Sequence, residues 1–247
     1  MSCFNREDVI DQFAPQGWQR VVFAEFEAAM TSRSRPFPCV FGQSGFRAGR
    51  LRFAFPDPLS AETLAPILHT YLREARDIGS MTSLVVFARP GPVLRIDDYR
   101  RRFWDLLDEL ALRDPGQWPA DIPRNMDEDL WEFCFAGEPV FVVCNTPAHV
   151  LRQSRRATSF TITFQPRWVF DGITNTTDPA AQRSLAMVRE RLDAFDALEA
   201  APFLGTYGEH GNREYQQYFL DDTNEPPACP FRRLATPDDV VKKGKVA

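Results

Sequence analysis

At 247 residues, with 44% hydrophobic and 26% charged side chains, the chain suits one large globular domain or two small ones; its formal net charge of −5 argues against nucleic-acid binding by bulk electrostatics. Five cysteines (Cys3, Cys39, Cys134, Cys144, Cys229) without a Cys-x-x-Cys spacing exclude a disulfide framework, a zinc ribbon and a covalent c-type heme site. Every lysine lies at the extreme C-terminus (Lys242, Lys243, Lys245), so a pyridoxal-phosphate Schiff base and a Walker A loop have no anchor inside the fold, and neither His-Glu-x-x-His nor Gly-x-Ser-x-Gly occurs.

In chain order, Trp18, Val22, Phe26 and Ala29 share one stripe of a helix over residues 16–31. A Pro/Gly-rich segment, Arg35 to Phe46, follows. Leu51–Phe55 is a short strand candidate closed by Pro56 and Pro58. Ser60 caps a helix that runs to about Ile78, burying Leu64, Ile67, Leu68, Tyr71 and Ala75. Ser83–Ala88 reads as a buried strand, Asp97–Leu112 as an amphipathic helix, and 114–128 as a proline-rich loop around Trp118.

The run 139–144 is a further strand, opening into a helix start at Asn145 or Thr146 with Pro147 in its first turn. Thr158–Phe164 alternates as a strand should. Asp178 caps a long helix with Leu185, Val188, Leu192, Phe195 and Leu198 at helical spacing, and Glu214–Leu220 is expected as the last strand. Strands alternating with helices predict an α/β (α+β) fold, a mixed sheet flanked by helices in a single domain over 1–225, with a Pro-rich and then basic tail over 226–247. No run is long and apolar enough to span a membrane and the N-terminus carries acids where a signal peptide is apolar, which predicts a cytoplasmic protein.

Three histidines are available for chemistry. His69 rotates off its helix's apolar stripe and reads as a surface residue, whereas His210 sits in a turn, where functional residues are common. His149 follows a strand end, where ligand sites of α/β sheets gather, and is trailed by Arg152, Arg155 and Arg156. It could hold a metal or cofactor while the arginines grip acidic groups with bidentate forks; otherwise it is a core histidine bonded to backbone, and the arginines form a solvated face. Cys39 is either a small buried hydrophobe or a thiolate ligand.

The segments Phe37-Pro-Cys39-Val-Phe41-Gly42, Asn145-x-Pro147-x-His149-x-x-Arg152-x-Ser154-Arg155, Phe164-Gln165-Pro166-Arg167-x-x-Phe170 and Glu214-Tyr-x-Gln217-Tyr218-x-Leu220 resemble, in order, motifs of the YqcI/YcgG family. Characterised members of that family are heme-dependent enzymes that N-hydroxylate guanidine groups. The resemblance spans residues 20–222 and departs from the family at Gln216, often a basic position, which bears on substrate and electrostatics there.

The resemblance implies a non-covalent heme b with His149 as axial ligand (His210 and Cys39 as alternatives), propionates on Arg152, Arg155 or Arg156, and O2 with an external electron donor. The 21 phenylalanines suit a flat apolar cofactor. The implied partners are a small guanidino or amino substrate, such as arginine, and a redox protein. The substrate would be positioned at the catalytic site by Glu214, with Asp221 and Asp222 as further candidates. A heme-binding carrier or sensor without turnover is the rival expectation, and a cofactor-free protein with a structural His149 the third.

Overall fold

The computed structural model describes residues 3–171 and 178–227. Cys229, the lysines and nearly all of the expected tail lie outside them. Six α-helices and five strands follow one another as α1 (Arg6–Gln12), α2 (Trp18–Thr31), α3 (Val40–Arg47), β1 (Leu51–Ala54), α4 (Ala61–Ile78), β2 (Ser83–Phe87), α5 (Ile96–Leu112), β3 (Cys134–Phe135), β4 (Glu138–Asn145), β5 (Thr161–Pro166) and α6 (Pro179–Phe195). Short 3-10 turns occupy Gln153–Arg155, Arg167–Phe170 and Glu214–Gln217.

The strands form one mixed sheet in the order β1-β2-β5-β4-β3, with β1 and β2 parallel and the remaining pairs antiparallel. This is the α/β arrangement expected. All five residues of β2 are buried, because helices cover both faces of that strand. On one face Leu84, Val86, Val142, Cys144, Ile162 and Phe164 meet the apolar stripes of α4 and α5. On the other Val85 and Phe87 join Phe53 beneath α2 and α3, where Phe23 packs edge-on against Phe53 at 4.9 Å. β4 alternates, with Val140, Val142 and Cys144 buried between half-buried neighbours.

Local chemistry sets several boundaries. Ser60 and Thr63 form a reciprocal capping box at the start of α4. Asp178 caps α6 by accepting from the Ala180 N–H, with Pro179 in the first turn. The stripe Leu185, Val188, Leu192 and Phe195 of α6 is only half-buried.

Two expectations are corrected, and three elements were not anticipated. The Pro/Gly-rich segment contains α3; Gly45 there is a packing requirement, since a Cβ would lie 2.3 Å from the Met81 carbonyl oxygen. Residues after Asn145 form no α-helix but a loop ending in the turn Gln153–Arg155. Glu214–Leu220 is not a strand: Glu214–Gln217 forms a 3-10 turn, and Glu214, Tyr215, Gln217 and Tyr218 are all buried, which an alternating strand does not allow. The short helix α1 and the hairpin strand β3 were not anticipated.

Candidate functional site

The loop carrying His149 is held by side chains distant in sequence. Asp222 accepts from the backbone N–H groups of Val150 (2.7 Å), Leu151 (3.1 Å) and Arg152 (2.8 Å). Burial works against its charge, but these three donors hold the carboxyl below the usual carboxylate range. Those amides therefore bond across the fold instead of up a helix, which is why no helix forms.

His149 is fully buried, with Nε2 2.7 Å from the Leu220 carbonyl oxygen and Nδ1 2.9 Å from Thr146 Oγ1. A carbonyl only accepts, so Nε2 carries the proton. Burial pushes the imidazole pKa down, and the neutral ring then accepts from the Thr146 hydroxyl at Nδ1. Both nitrogens are occupied, so a metal would have to displace one of these bonds; as it stands the ring ties loop to loop. His210 is fully exposed and pairs with Asp129 at 3.2 Å, on the surface.

The three arginines have separate tasks. Arg152, buried, donates from Nε to the Asp221 carbonyl (2.7 Å) and from one terminal nitrogen to the Thr223 carbonyl (3.0 Å) and Asn224 Oδ1 (2.8 Å). Arg156 is exposed and reaches back to the His149 carbonyl. Arg155 makes a single long hydrogen bond, 3.4 Å, to the Gln217 carbonyl. The expected three-arginine grip thus reduces to Arg155, with Arg152 and Arg156 bound to the chain itself.

Cys39 is the N-cap of α3 and its Sγ accepts from the Gly42 N–H at 3.2 Å. Burial pushes the thiol up, while the Gly42 and Phe41 amides and the charge of Arg155 pull it the other way. The preceding loop is fixed by Arg191, which donates to the Phe37 carbonyl and Gln43 Oε1, and by Phe195 packed edge-on against Phe37.

Glu214 belongs to a second buried cluster. Arg167 forks onto both oxygens of Glu132, its Nε at 2.7 Å, and a terminal nitrogen also reaches Glu214 at 2.5 Å. The Arg167 guanidinium lies 4.0 Å from the centre of the Tyr207 ring and 5.2 Å from that of Phe170. Two carboxylates share one cation, and burial pushes Glu132 up to about 7 against the pull of Arg167. Glu214 Oε2 meets Asn212 at 3.4 Å, and Asn212 Oδ1 meets Gln217 at 3.2 Å, so hydrogen bonds run from this cluster toward Arg155. Glu214 is therefore held by Arg167 rather than open to a ligand. Asp221 is paired with Arg100, and Asp222 holds the loop.

Glu132, Asn212 and Tyr207 were not singled out from the sequence. Glu132 carried a usable signal, an acid inside the aromatic run Trp131-Glu132-Phe133-Cys134-Phe135. Among the described residues no group of three or more His, Cys, Asp or Glu side chains converges as metal ligands; a heme iron needs only one protein donor. Two surface clefts, of about 570 and 350 Å³, include neither Cys39 nor Arg155 nor Glu214.

The model of the YqcI/YcgG family matches residues 26–232. The chain belongs to the YqcI/YcgG family. Within it, the chain is 43% identical to the Bacillus subtilis (strain 168) protein "Uncharacterized protein YqcI", over 88% of this chain and 89% of that one, and 42% identical to "Uncharacterized protein YcgG" of the same strain, with the same shares covered. It is 30% identical to "Putative N(omega)-hydroxy-L-arginine synthase DcsA" of Streptomyces lavendulae, over 87% of this chain and 84% of that one. No solved structure matches. The four segments that carried the YqcI/YcgG resemblance are linked in space, since the charge of Arg155 acts on Cys39, Arg155 bonds Gln217, and Glu214 bonds Arg167.

Proposed function

We propose that the protein is a heme-dependent oxygenase that hydroxylates a nitrogen of a small guanidino compound, arginine or a close relative. The name carried by DcsA supports the reaction class at a distance. The observation that carries the heme assignment is the setting of Cys39: a thiol at a helix N-terminus, facing backbone N–H groups, within range of an arginine and outside any disulfide. That setting fits a thiolate axial ligand, whereas His149 has both nitrogens engaged and His210 lies on the surface. Cys39 therefore replaces His149 as the first candidate ligand. Heme bound there would supply the activation of O2, with electrons from an external donor.

The chain's own part is to bind and orient. Burial raises the Cys39 thiol, and the Gly42 and Phe41 amides and the charge of Arg155 offset only part of that rise, so a bound iron would itself have to draw off the thiol proton for the sulfur to hold it. Arg167 already engages both Glu132 and Glu214, so this buried cluster, with Asn212 and Tyr207 against it, orders the turn Glu214–Gln217 beside Arg155 rather than meeting a substrate directly.

The test is a pyridine hemochrome assay and a ferrous–CO spectrum on protein expressed with iron and a heme precursor. Thiolate ligation gives the strongly red-shifted CO band. Cys39→Ser should abolish that band, while His149→Gln should leave its position unchanged. Incubation with reductant, O2 and a panel of guanidines should then give a product one oxygen heavier. Protein that stays colourless in the presence of added hemin sinks the heme assignment.

A further inference from the structure

Arg155 differs from the other inward-facing arginines. Arg152 makes three side-chain hydrogen bonds and Arg167 three, two of them to one carboxylate. Arg155 has one contact at the limit of hydrogen bonding and, among the described residues, no ion pair. The acid whose field reaches it, Asp196, is already engaged by the Ser154 N–H at 2.6 Å and the Ser154 hydroxyl at 2.7 Å. Its other charged or titratable neighbours are the Cys144 and Cys39 thiols and the like-charged Arg152. Burial and Arg152 push its pKa down only to about 10, so it stays a cation at neutral pH.

The placement of this guanidinium is fixed by the fold. Arg155 closes the turn Gln153–Arg155, and its carbonyl accepts from the Thr146 N–H at 2.9 Å, locking it beside the end of β4. Arg155 is half-buried, and its single side-chain hydrogen bond leaves donor capacity for an arriving group. A held, reachable guanidinium with spare parallel N–H donors recognises a planar anion of matching width, a carboxylate.

We propose that Arg155 is a carboxylate-binding subsite beside the turn Glu214–Gln217. The carboxylate has two sources, a heme propionate or the carboxyl end of an amino-acid substrate. Arg155 and Glu214 flank the two ends of the turn Glu214–Gln217, residues that lie about 6 Å apart along a 3-10 axis. Glu214 is committed to Arg167, so of the two it is Arg155 that has donor capacity left for a ligand. The heme source rests on the cofactor proposed above, and the substrate source on the substrate class proposed there.

Two arms of one experiment separate the sources, using the full chain as purified. In the first, calorimetry compares L-arginine with agmatine, which has the same guanidinium and no carboxylate. A substrate carboxylate on Arg155 makes arginine bind about ten- to a hundredfold tighter than agmatine, a preference that Arg155→Gln removes and Arg155→Lys partly keeps. In the second, uptake of heme b is compared with uptake of its dimethyl ester, and a propionate on Arg155 makes Arg155→Gln abolish the preference for the free acid. Loss of preference in either arm supports the subsite and names its source. If Arg155→Gln alters neither comparison, or if the unaltered protein prefers neither acid, the subsite is overturned. Protein that takes up no heme but loses its arginine preference in Arg155→Gln overturns the heme reading and keeps the subsite; circular dichroism of both variants confirms the fold.

Discussion

At one end of the turn Glu214–Gln217 two carboxylates close on a single arginine, and at the other a single arginine meets, among the described residues, no carboxylate. The first cluster is deeply buried and cross-links the segment before β3, the end of β5 and the turn itself. The second is half-buried and leaves donor capacity unused. A buried ion cluster with its partners in place is costly to break, because removing one partner strands the other charges in a poorly solvating interior. An unmatched charge contributes little to stability and gains only when a ligand arrives. The pair teaches that the arginine of least structural value is the better candidate for binding.

The largest expected effect follows from the first cluster. Arg167→Met should destabilise the fold by about 3–5 kcal/mol in urea unfolding, since it leaves Glu132 and Glu214 buried without a cation. In the same assay Arg155→Gln should stay within about 1 kcal/mol of the parent, there being no partner to strand. Equal losses for both variants would erase the contrast.

Next comes pH. Glu132 has its pKa raised from 4.5 to about 7 in the folded chain. Below 4.5 it is protonated in both states. Between 4.5 and 7 the unfolded chain releases a proton that the folded chain keeps, so this residue's contribution to stability falls as pH rises, by about 3 kcal/mol at most, and then levels off. Glu132→Gln should flatten that slope in unfolding curves taken across the window. His210→Ala should give the smallest effect, leaving the melting curve and the spectrum of any bound heme unchanged, because its side chain is fully exposed.

The helices and strands set by local chemistry were legible in the sequence. The Ser60 cap and the apolar stripe of α4 placed that helix within a residue, and the buried run of β2 was equally plain. Where long-range contacts decide, the sequence misled. Pro147 after a strand suggested a helix, but Asp222, seventy to seventy-two residues on, takes the amides that a helix would use. Pro36, Pro38, Gly42 and Gly45 hid a helix, although Gly45 is there to let α3 approach the Met81 carbonyl. At the site, the clustering of His149 with arginines was visible, but which nitrogen bonds what depends on Leu220 and Thr146. Cys39 lay in plain view and ranked third, because its capping of α3 cannot be read without knowing that α3 exists.

The clasp of Asp222 on Val150, Leu151 and Arg152 also sets a timetable for the growing chain. β1, β2, β4 and β5 can all pair once residue 166 has been made. The loop that presents Arg155 stays without its three amide anchors until Asp222 leaves the ribosome, and Gln217 arrives only a few residues sooner. Contacts this far apart in sequence form late, after the loop between them has been closed. The scaffold can thus stand before that loop is held, and a chain stopped short of residue 222 would have its sheet but not the anchored loop that carries Arg155.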